Sequence, residues 1–189
     1  LLCDYRELTE QVEQRFDAAY SIGMFEHVGH HNFETYMRVV RDVLTDDGLF
    51  VLHTIGNDRP TTTTEPWIER YIFPNSMLPS ASQLCPAFER YFVLEDWQNF
   101  GADYDRTLMA WYRRFRDGWD VLGRVYDQRF YRMWSYYLLS SAGAFRARSN
   151  QLWQLVLSPS GLKDGYRRSQ REARFAAALP GGAAGDPPV

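Results

Sequence analysis

The sequence has few of the residues that build a disulfide framework or span a bilayer. It contains only two cysteines, Cys3 and Cys85, among 189 residues. Two thiols do not make a disulfide framework, and they suit a reducing compartment. No run approaches the roughly 20 apolar residues that cross a membrane, so we expect any membrane contact to be peripheral. A net charge of -3 gives no reason to expect a nucleic acid partner.

The chain also has no starting methionine and no secretion signal. Its first residues, LLCDYREL, lack a basic region followed by an apolar one, and they are typical of the end of a strand. We therefore expect a fragment of a longer protein. What remains is rich in core-forming residues, with 45% hydrophobic and 16% aromatic side chains, which is sufficient for a sizeable core.

The first half of the chain alternates between strand and helix patterns. FDAAYSIG, residues 16–23, is short and apolar, which is typical of a buried parallel strand. NFETYMRVVRDVL, residues 32–44, has apolar residues at helical spacing, with Asn32 as the expected N-cap. TDDG then predicts a turn, and LFVLHTI, residues 49–55, a second buried strand. Strand, helix and strand with short connections predict a βαβ unit with a parallel sheet.

The second half continues with an irregular threonine-rich loop and then further elements. We predict a helix from Ser80 that Pro86 interrupts or confines. Beyond it we predict a strand at 91–100, two aromatic-rich helices at 105–121 and 127–145, and a late strand at 152–158. The Ala/Gly/Pro-rich tail from residue 175 has no pattern, and we expect it to be disordered. The predicted fold class is α/β, with a doubly wound and mostly parallel sheet.

The stretch GMFEHVGHH, residues 23–31, holds three of the four histidines of the chain. It contains no HExxH motif, and the adjacent His30 and His31 should point apart, so a loop is favoured over a metal site. Glu26 follows the first strand, and His53 lies near the end of the second. Ligands bind at the carboxyl ends of such strands, so these two side chains should converge. Such a pair can hold a small anion or carry a proton, but a purely structural role is equally open.

The two aromatic helices also allow two interpretations. Helical aromatic stripes usually form a core, but beside a sheet edge they can line a pocket for a long apolar substrate. Tyr104, expected in a loop after the third strand, would lie at the same edge. It is a candidate polar group of the site.

Several long segments resemble one known family. YSIGMFEHVG, LFVLHTIG, WIERYIFPNSMLPS, EDWQNFGADYDRTLMAWYRRF and AGAFRAR with QLWQLV are similar to bacterial cyclopropane-fatty-acyl-phospholipid synthases. More distantly, they resemble the mycolic acid cyclopropane synthases. The resemblance covers residues 2 to 158, and we take 1–158 as part of a catalytic domain with a helical lipid-pocket region at 103–148. Residues 159–189 would form a tail.

The resemblance implies a Rossmann-like S-adenosylmethionine-dependent methyltransferase that adds a methylene across a cis double bond of a phospholipid acyl chain. It implies a bound bicarbonate ion as the base, held by Glu26, His53, Ile55 and Tyr104. Glu26 would accept hydrogen bonds, His53 and Tyr104 would donate to the anion, and the Ile55 backbone amide would complete the nest. Glu26 or His53 itself is the alternative base. Aromatic faces that stabilise a carbocation would come from Phe25, Tyr104, Trp111, Tyr136 and Tyr137.

For the cofactor, the resemblance implies only one edge of the S-adenosyl-L-methionine site, at Asp4, Tyr5, Ser21 and Gly23. The glycine-rich loop of the family is absent from the sequence, and Cys3 does not match the cysteine of the family's bicarbonate site. We therefore predict that this chain alone does not turn over.

The resemblance also implies a cytoplasmic protein at the inner face of the membrane, with an unsaturated phospholipid as partner and a homodimer in the intact enzyme. Two alternatives stay open. One is a related methyltransferase that acts on a small amine, and the other is a non-catalytic lipid-binding remnant.

Overall fold

The computed structural model describes residues 2–167, which form a four-stranded sheet with helices packed on it. The spatial order of the strands is β1-β2-β4-β3. The strands are β1 (Phe16–Ile22), β2 (Leu44–Asn57), β3 (Val93–Asn99) and β4 (Asn150–Ser158). The helices are α1 (Leu8–Gln11), α2 (Phe33–Val43), α3 (Pro66–Tyr71), α4 (Ala81–Phe88), α5 (Gly101–Asp117), α6 (Trp119–Leu122) and α7 (Gln128–Arg146). The tail predicted from residue 175 lies outside the described residues.

The sheet is mixed, although three of its four strands run in the same direction. β1 and β2 are parallel neighbours, as the βαβ pattern predicts, with α2 as the crossover. The late strand β4 lies between β2 and β3 and is antiparallel to both, an insertion that the sequence pattern did not indicate. The predicted α/β class is confirmed, with β4 as the reversed strand.

The segment TDDG does not form a separate turn. Strand β2 begins at Leu44, directly after α2, and includes these four residues. Its pairing with β1 jumps from Phe16–Leu44 to Ala18–Leu49, so the four residues bulge out of an otherwise regular ladder.

One capping bond and one helix start also differ from the predictions. Asn32 occupies the N-cap position of α2, but its side chain makes no capping bond and instead donates to the Val28 carbonyl at 2.9 Å. Helix α5 begins at Gly101 rather than near residue 105, because the Asn99 side chain accepts from the Gly101 amide at 2.9 Å. Tyr104 therefore lies in the first turn of a helix and not in a loop.

The core is divided between the two faces of the sheet, because side chains along β2 alternate in direction. Phe50 and Leu52 point toward α2 and α4 and join the larger apolar cluster. Ile55 points the other way and packs against the cluster of α5 and α7, which includes Leu108, Leu138 and Phe145. The end of β2 therefore lies beside the aromatic helices.

Candidate active site

A short 3₁₀ turn, Phe25–His27, positions Glu26 just after β1. Gly23 permits the preceding turn with a φ of 63°, a left-handed conformation that favours glycine. Its amide donates to the His53 carbonyl at 3.0 Å, so the turn is fixed to the neighbouring strand. The Glu26 carbonyl accepts from the Met77 amide at 2.8 Å. Backbone contacts on both sides thus hold Glu26 at the end of β2.

The carboxylate of Glu26 is buried, with an exposed fraction of 5%. One oxygen, Oε1, accepts a hydrogen bond from the Ile55 amide at 2.7 Å. The other, Oε2, is also buried and has no hydrogen-bond partner among residues 2–167. A buried carboxylate oxygen without a partner is unfavourable, so this atom is suited to accept a hydrogen bond from a bound molecule.

Glu26 lies on the wall of a cavity of about 540 Å³. The cavity is large enough for part of a lipid or a drug-sized molecule. Its lining mixes rings, aliphatic side chains, hydroxyls and amides, and contains two carboxylates but no lysine or arginine from the described chain. The lining residues are Gly23, Glu26, His27, Ile55, Asn57, Thr61, Thr63, Thr64, Glu65, Ile68, Phe73, Ser76, Leu78, Tyr104, Leu108, Tyr136, Tyr137, Ser140, Ser141, Ala144, Phe145 and Asn150.

Two tyrosines on this wall keep their hydroxyl protons over a wide pH range. Burial raises the pKa of Tyr104 above its usual value, and the negative charge of Glu26 raises it further. Burial also raises the pKa of Tyr137 to about 12, with a smaller contribution from Tyr104. The Tyr104 ring is held edge-on against Phe145, with 5.0 Å between centroids. A protonated hydroxyl near Glu26 is a potential hydrogen-bond donor to an anion.

The structure places three of the four predicted anion-site residues on this wall, namely Glu26, Ile55 and Tyr104. His53 lies two residues before Ile55 on the same face of β2, paired with Ile22 and Gln154. Its side chain is not among the lining residues and makes no hydrogen bond within the described range. The expected convergence therefore joins Glu26 to the backbone at Ile55 rather than to the His53 ring. The Ile55 amide is already engaged by Glu26, so it is not free to complete an anion nest.

The four residues predicted at the cofactor edge lie in different surroundings. Gly23 lines the cavity, and Ser21 is buried on β1. The hydroxyl of Tyr5 is buried without a partner in the part of the chain that the structure describes, and its ring packs edge-on against Tyr36 at 5.3 Å. The Asp4 carboxylate binds the Arg6 guanidinium at 2.6 Å, and this hydrogen-bonded pair lowers the pKa of Asp4 to about 2.

The histidine-rich loop, residues 23–31, places its imidazole rings in different surroundings. No cluster of three or more potential His, Cys, Asp or Glu ligands occurs within residues 2–167. The prediction that His30 and His31 point apart is wrong, because their rings are 3.7 Å apart between centroids. His27 lines the cavity, and its ring packs edge-on against Phe73 at 5.8 Å.

Only three of the five aromatic side chains predicted to face the reaction site line the cavity. Tyr104, Tyr136 and Tyr137 line the cavity, and Trp111 only supports it by packing edge-on against Tyr104 at 5.9 Å. Phe25 is fully buried in the core.

Sequence reasoning missed a polar part of the wall. The threonine-rich loop contributes Thr61, Thr63 and Thr64 to the cavity, and α7 contributes Ser140 and Ser141. The signal in the sequence was the threonine run itself, since threonine presents both a methyl group and a hydroxyl. The composition of the run by itself predicts only an irregular loop.

Comparison with known proteins shows the family to which the chain belongs. The sequence profile named "Mycolic acid cyclopropane synthetase" matches residues 1–155. The chain belongs to this cyclopropane synthetase family. It is 53% identical over 167 residues to the cyclopropane-fatty-acyl-phospholipid synthase of Escherichia coli K12, a match that covers 88% of this chain and 42% of that protein. The chain thus spans less than half the length of this relative.

Two further matches support the family assignment. A cyclopropane-fatty-acyl-phospholipid synthase of Citrobacter freundii is 51% identical over 86 residues, covering 46% of this chain and 96% of that protein. Among solved structures, the mycolic acid cyclopropane synthase CmaA1 complexed with SAH and CTAB has a TM-score of 0.71 and 25% identity, covering 79% of this chain and 57% of that chain. The match confirms the Rossmann-like methyltransferase fold.

Proposed function

We propose that this chain carries part of the active site of an S-adenosylmethionine-dependent synthase that forms cyclopropane rings on unsaturated phospholipid acyl chains. The observation that carries the proposal is the unpartnered Glu26 oxygen on the wall of a partly apolar cavity. In addition, the chain is 53% identical to the cyclopropane-fatty-acyl-phospholipid synthase of Escherichia coli K12. The SAH-bound structure of CmaA1 supports S-adenosylmethionine as the cofactor.

The residues present fit one edge of the cofactor site. Gly23 lies where the strand end meets the cavity, and a Cβ there would meet no atom within 4 Å, so the space beside it is open. Tyr5 adds a buried hydroxyl that lacks a partner in the described range. When bound, S-adenosylmethionine supplies an activated methyl group to the double bond. We expect Gly23 and Tyr5 to contact the cofactor.

The cavity supplies the surroundings that a cationic reaction centre needs. The rings of Tyr104, Tyr137 and Phe145 stabilise positive charge on the acyl chain through their π faces. Aliphatic neighbours such as Leu108 limit the access of water, which would otherwise trap the cation. The absence of lysine and arginine from the lining, within the described residues, avoids repulsion of that charge.

Glu26 is placed to take part in the loss of the proton that closes the ring. In one mechanism, its Oε2 atom takes up that proton directly. In the other, the proton passes to a bicarbonate ion, while Oε2 accepts a hydrogen bond from the bicarbonate O–H and the Tyr104 hydroxyl donates one to the ion. The donor set fits such an ion in part, because the Ile55 amide is committed to Glu26. A rearrangement that frees this amide, or brings the His53 ring forward, would complete the predicted set.

Contact with the membrane is supported by exposed apolar residues in α6 and in the turn between α6 and α7. Val121 and Val125 are 66% and 80% exposed, and Tyr126 is 44% exposed, beside Arg124. Such a mixture is suited to the interface of an anionic bilayer. No helix within residues 2–167 is long and apolar enough to cross a membrane. Replacing both valines with serine should reduce sedimentation with anionic vesicles, and unchanged sedimentation would contradict the contact. The homodimer expected for the intact enzyme is a separate prediction, which a mass measurement by light scattering would test.

The decisive experiment uses the chain expressed with any natural coding sequence that adjoins it. The protein is incubated with S-adenosylmethionine and vesicles of a monounsaturated phospholipid, and acyl-chain masses are recorded. We expect a gain of one CH₂ with loss of the double bond. Normal cofactor binding without this gain would reject the proposal.

One observation favours a second candidate, the methylation of a small amine. The cavity presents the carboxylates of Glu26 and Glu65 and no cationic side chain from the described residues, which also suits a protonated amine. The Glu65 carboxylate is partly occupied, because it accepts from the Trp67 and Ile68 amides at the start of α3. In the same assay with added amines, mass gained by an amine rather than by the acyl chain would select this function.

A further inference from the structure

A second, smaller cleft of about 260 Å³ lies between α3 and the first half of α7. It has a different chemistry from the main cavity, since it combines two guanidinium groups with aromatic rings and contains no acidic side chain. Its lining residues are Trp67, Tyr71, Arg129, Arg132, Met133 and Tyr136.

The two arginines are available to a ligand. Arg129 and Arg132 are three residues apart on α7, so they share one face of the helix. Both are exposed. Neither takes part in an ion pair with an acidic side chain within residues 2–167. Planar guanidinium groups bind phosphate through paired hydrogen bonds, which makes two adjacent ones a suitable phosphate site.

The cleft adjoins the main cavity through Tyr136, which lines both. The ring of Trp67 packs edge-on against Tyr136, with 4.6 Å between centroids. The lining of the cleft includes two arginines and no acidic residue, whereas the lining of the main cavity includes two glutamates and no arginine or lysine from the described residues. A molecule with an anionic end and an apolar end matches this division.

We propose that the cleft binds the phosphate group of the phospholipid whose acyl chain enters the main cavity. This inference rests on the proposed function. The aromatic rings of Trp67 and Tyr71 suit the boundary between a lipid head group and its chains. The cleft would hold the phosphate while the double bond reaches the site of Glu26 and Tyr104.

The dimensions of the helix agree with this arrangement. At 1.5 Å per residue, Tyr137 lies about 8 Å along α7 from Arg132 and about 12 Å from Arg129. Tyr137 lines the main cavity together with Glu26 and Tyr104, so it serves as the reference point for the proposed reaction site. One leaflet of a bilayer has about 15 Å of hydrocarbon, so the middle of an acyl chain lies about 8 Å below its ester. The separation along α7 between the arginines and Tyr137 is therefore of the same order as the depth of a double bond near the middle of the chain.

A binding experiment tests the site without requiring turnover. The ligands are a short-chain phospholipid below its micelle concentration, the matching short-chain diacylglycerol, and inorganic phosphate. Binding is followed by tryptophan fluorescence. We expect Arg129→Gln/Arg132→Gln to weaken phospholipid binding about tenfold or more, the effect of losing at least one charge-assisted hydrogen bond. Its affinity for diacylglycerol should change much less.

A matched control removes two charges elsewhere. Arg113→Gln/Arg114→Gln, on exposed positions of α5, should leave phospholipid binding within about twofold of wild type, because these residues do not line the cleft. Equal loss in both double variants would overturn the site in favour of general electrostatic attraction. Inorganic phosphate that binds as tightly as the phospholipid would overturn the lipid assignment.

A turnover experiment then separates this inference from the proposed function. With active protein, Arg129→Gln/Arg132→Gln should lower the preference in kcat/KM for phospholipid over diacylglycerol about tenfold. An unchanged preference would reject the cleft while the synthase remains. Absence of turnover on either substrate by wild-type protein would instead reject the function, and the binding result would still decide whether the cleft holds phosphate.

Discussion

The replacement of Gly56 with alanine tests how tightly the end of β2 is packed beside the site. Gly56 lies between Ile55, whose amide binds Glu26, and Asn57, whose amide donates to the Pro79 carbonyl at 2.8 Å. A Cβ at position 56 would stand 2.2 to 2.5 Å from three ring carbons of Trp153. Real contacts are not this short, so the ring or the strand has to move.

Trp153 has little room to move. It is 6% exposed, and its ring is held edge-on to Trp97 with 5.2 Å between centroids. Overpacking of a close-packed core costs about 1–3 kcal/mol. Without a clash, a change from glycine to alanine usually stabilises a protein by about 0.4–1 kcal/mol through the unfolded chain. We therefore expect Gly56→Ala to lower the free energy of unfolding by about 1–3 kcal/mol in urea denaturation.

Two further variants isolate the cause. Gly143→Ala, on an exposed position of α7 where a Cβ meets no atom within 4 Å, should stabilise the protein by up to about 1 kcal/mol. In a Trp153→Leu background, the cost of Gly56→Ala should fall below about 1 kcal/mol, because the ring is gone. The reasoning is refuted if Gly56→Ala costs the same in both backgrounds, or if it does not destabilise the wild-type protein.

The other predictions concern ionisable groups. Glu26→Gln should lower turnover in the vesicle assay about 100-fold or more while cofactor binding is retained, since the amide cannot take up the proton; unchanged turnover would remove Glu26 from the mechanism. Because burial raises the pKa values of Tyr36 and Tyr137 to about 12, the unfolded chain loses these protons first, and the free energy of unfolding should fall between about pH 10 and 12. In the Tyr36→Phe/Tyr137→Phe variant, the free energy of unfolding should fall less over this pH range. A pH profile identical to that of the wild type would contradict the prediction. Carboxyl NMR should give Asp4 a pKa of about 2, with its ion pair complete above about pH 4 and lost as the pH falls toward 2. Arg6→Gln should raise this pKa only part of the way toward about 4, because the backbone amide of residue 6 still donates to Asp4.

Much of the fold could be predicted because its signals are local. Residues 16–23, 32–44 and 127–145 were predicted within one residue of the observed bounds of β1, α2 and α7. Gly23 marks the end of β1, and Asp127, which accepts from the Phe130 amide at 2.8 Å, marks the start of α7. The prediction that residues 16–23 are buried was wrong, because β1 is an edge strand and its Tyr20 and Ile22 are 79% and 67% exposed. The parallel pairing of β1 with β2 followed from topology.

The errors arise where distant contacts decide the structure. The reversed strand β4 has the same apolar pattern as a parallel strand, so its direction depends on how α7 returns to the sheet. The start of α5 at Gly101 depends on the close approach of β4, since a Cβ there would lie 3.3 Å from the Gln151 Cα. Neither contact is visible in the local sequence around Tyr104.

The site was predicted in part for the same reason. Topology correctly brought Glu26 to the end of β2, but it could not show that a side chain from the turn reaches a backbone amide instead of the His53 ring. Residues on one strand face are separated by two positions. The Glu26 carboxylate, which binds the Ile55 amide, therefore lies two residues farther along β2 than the His53 side chain.

The polar wall of the cavity shows how a loop without a pattern can become part of a site. Gln83 of α4 accepts from the Thr61 amide and donates to the Thr61 carbonyl, and the Thr64 hydroxyl contacts Ser76. These bonds satisfy the backbone amide and carbonyl of Thr61 and the backbone carbonyl of Ser76. A run of hydrophobic residues in this loop would provide no hydroxyl for Ser76 and would loosen the wall opposite α7. The threonine run therefore also has a structural role, because its hydrogen bonds tie the cavity wall to α4 and to Ser76.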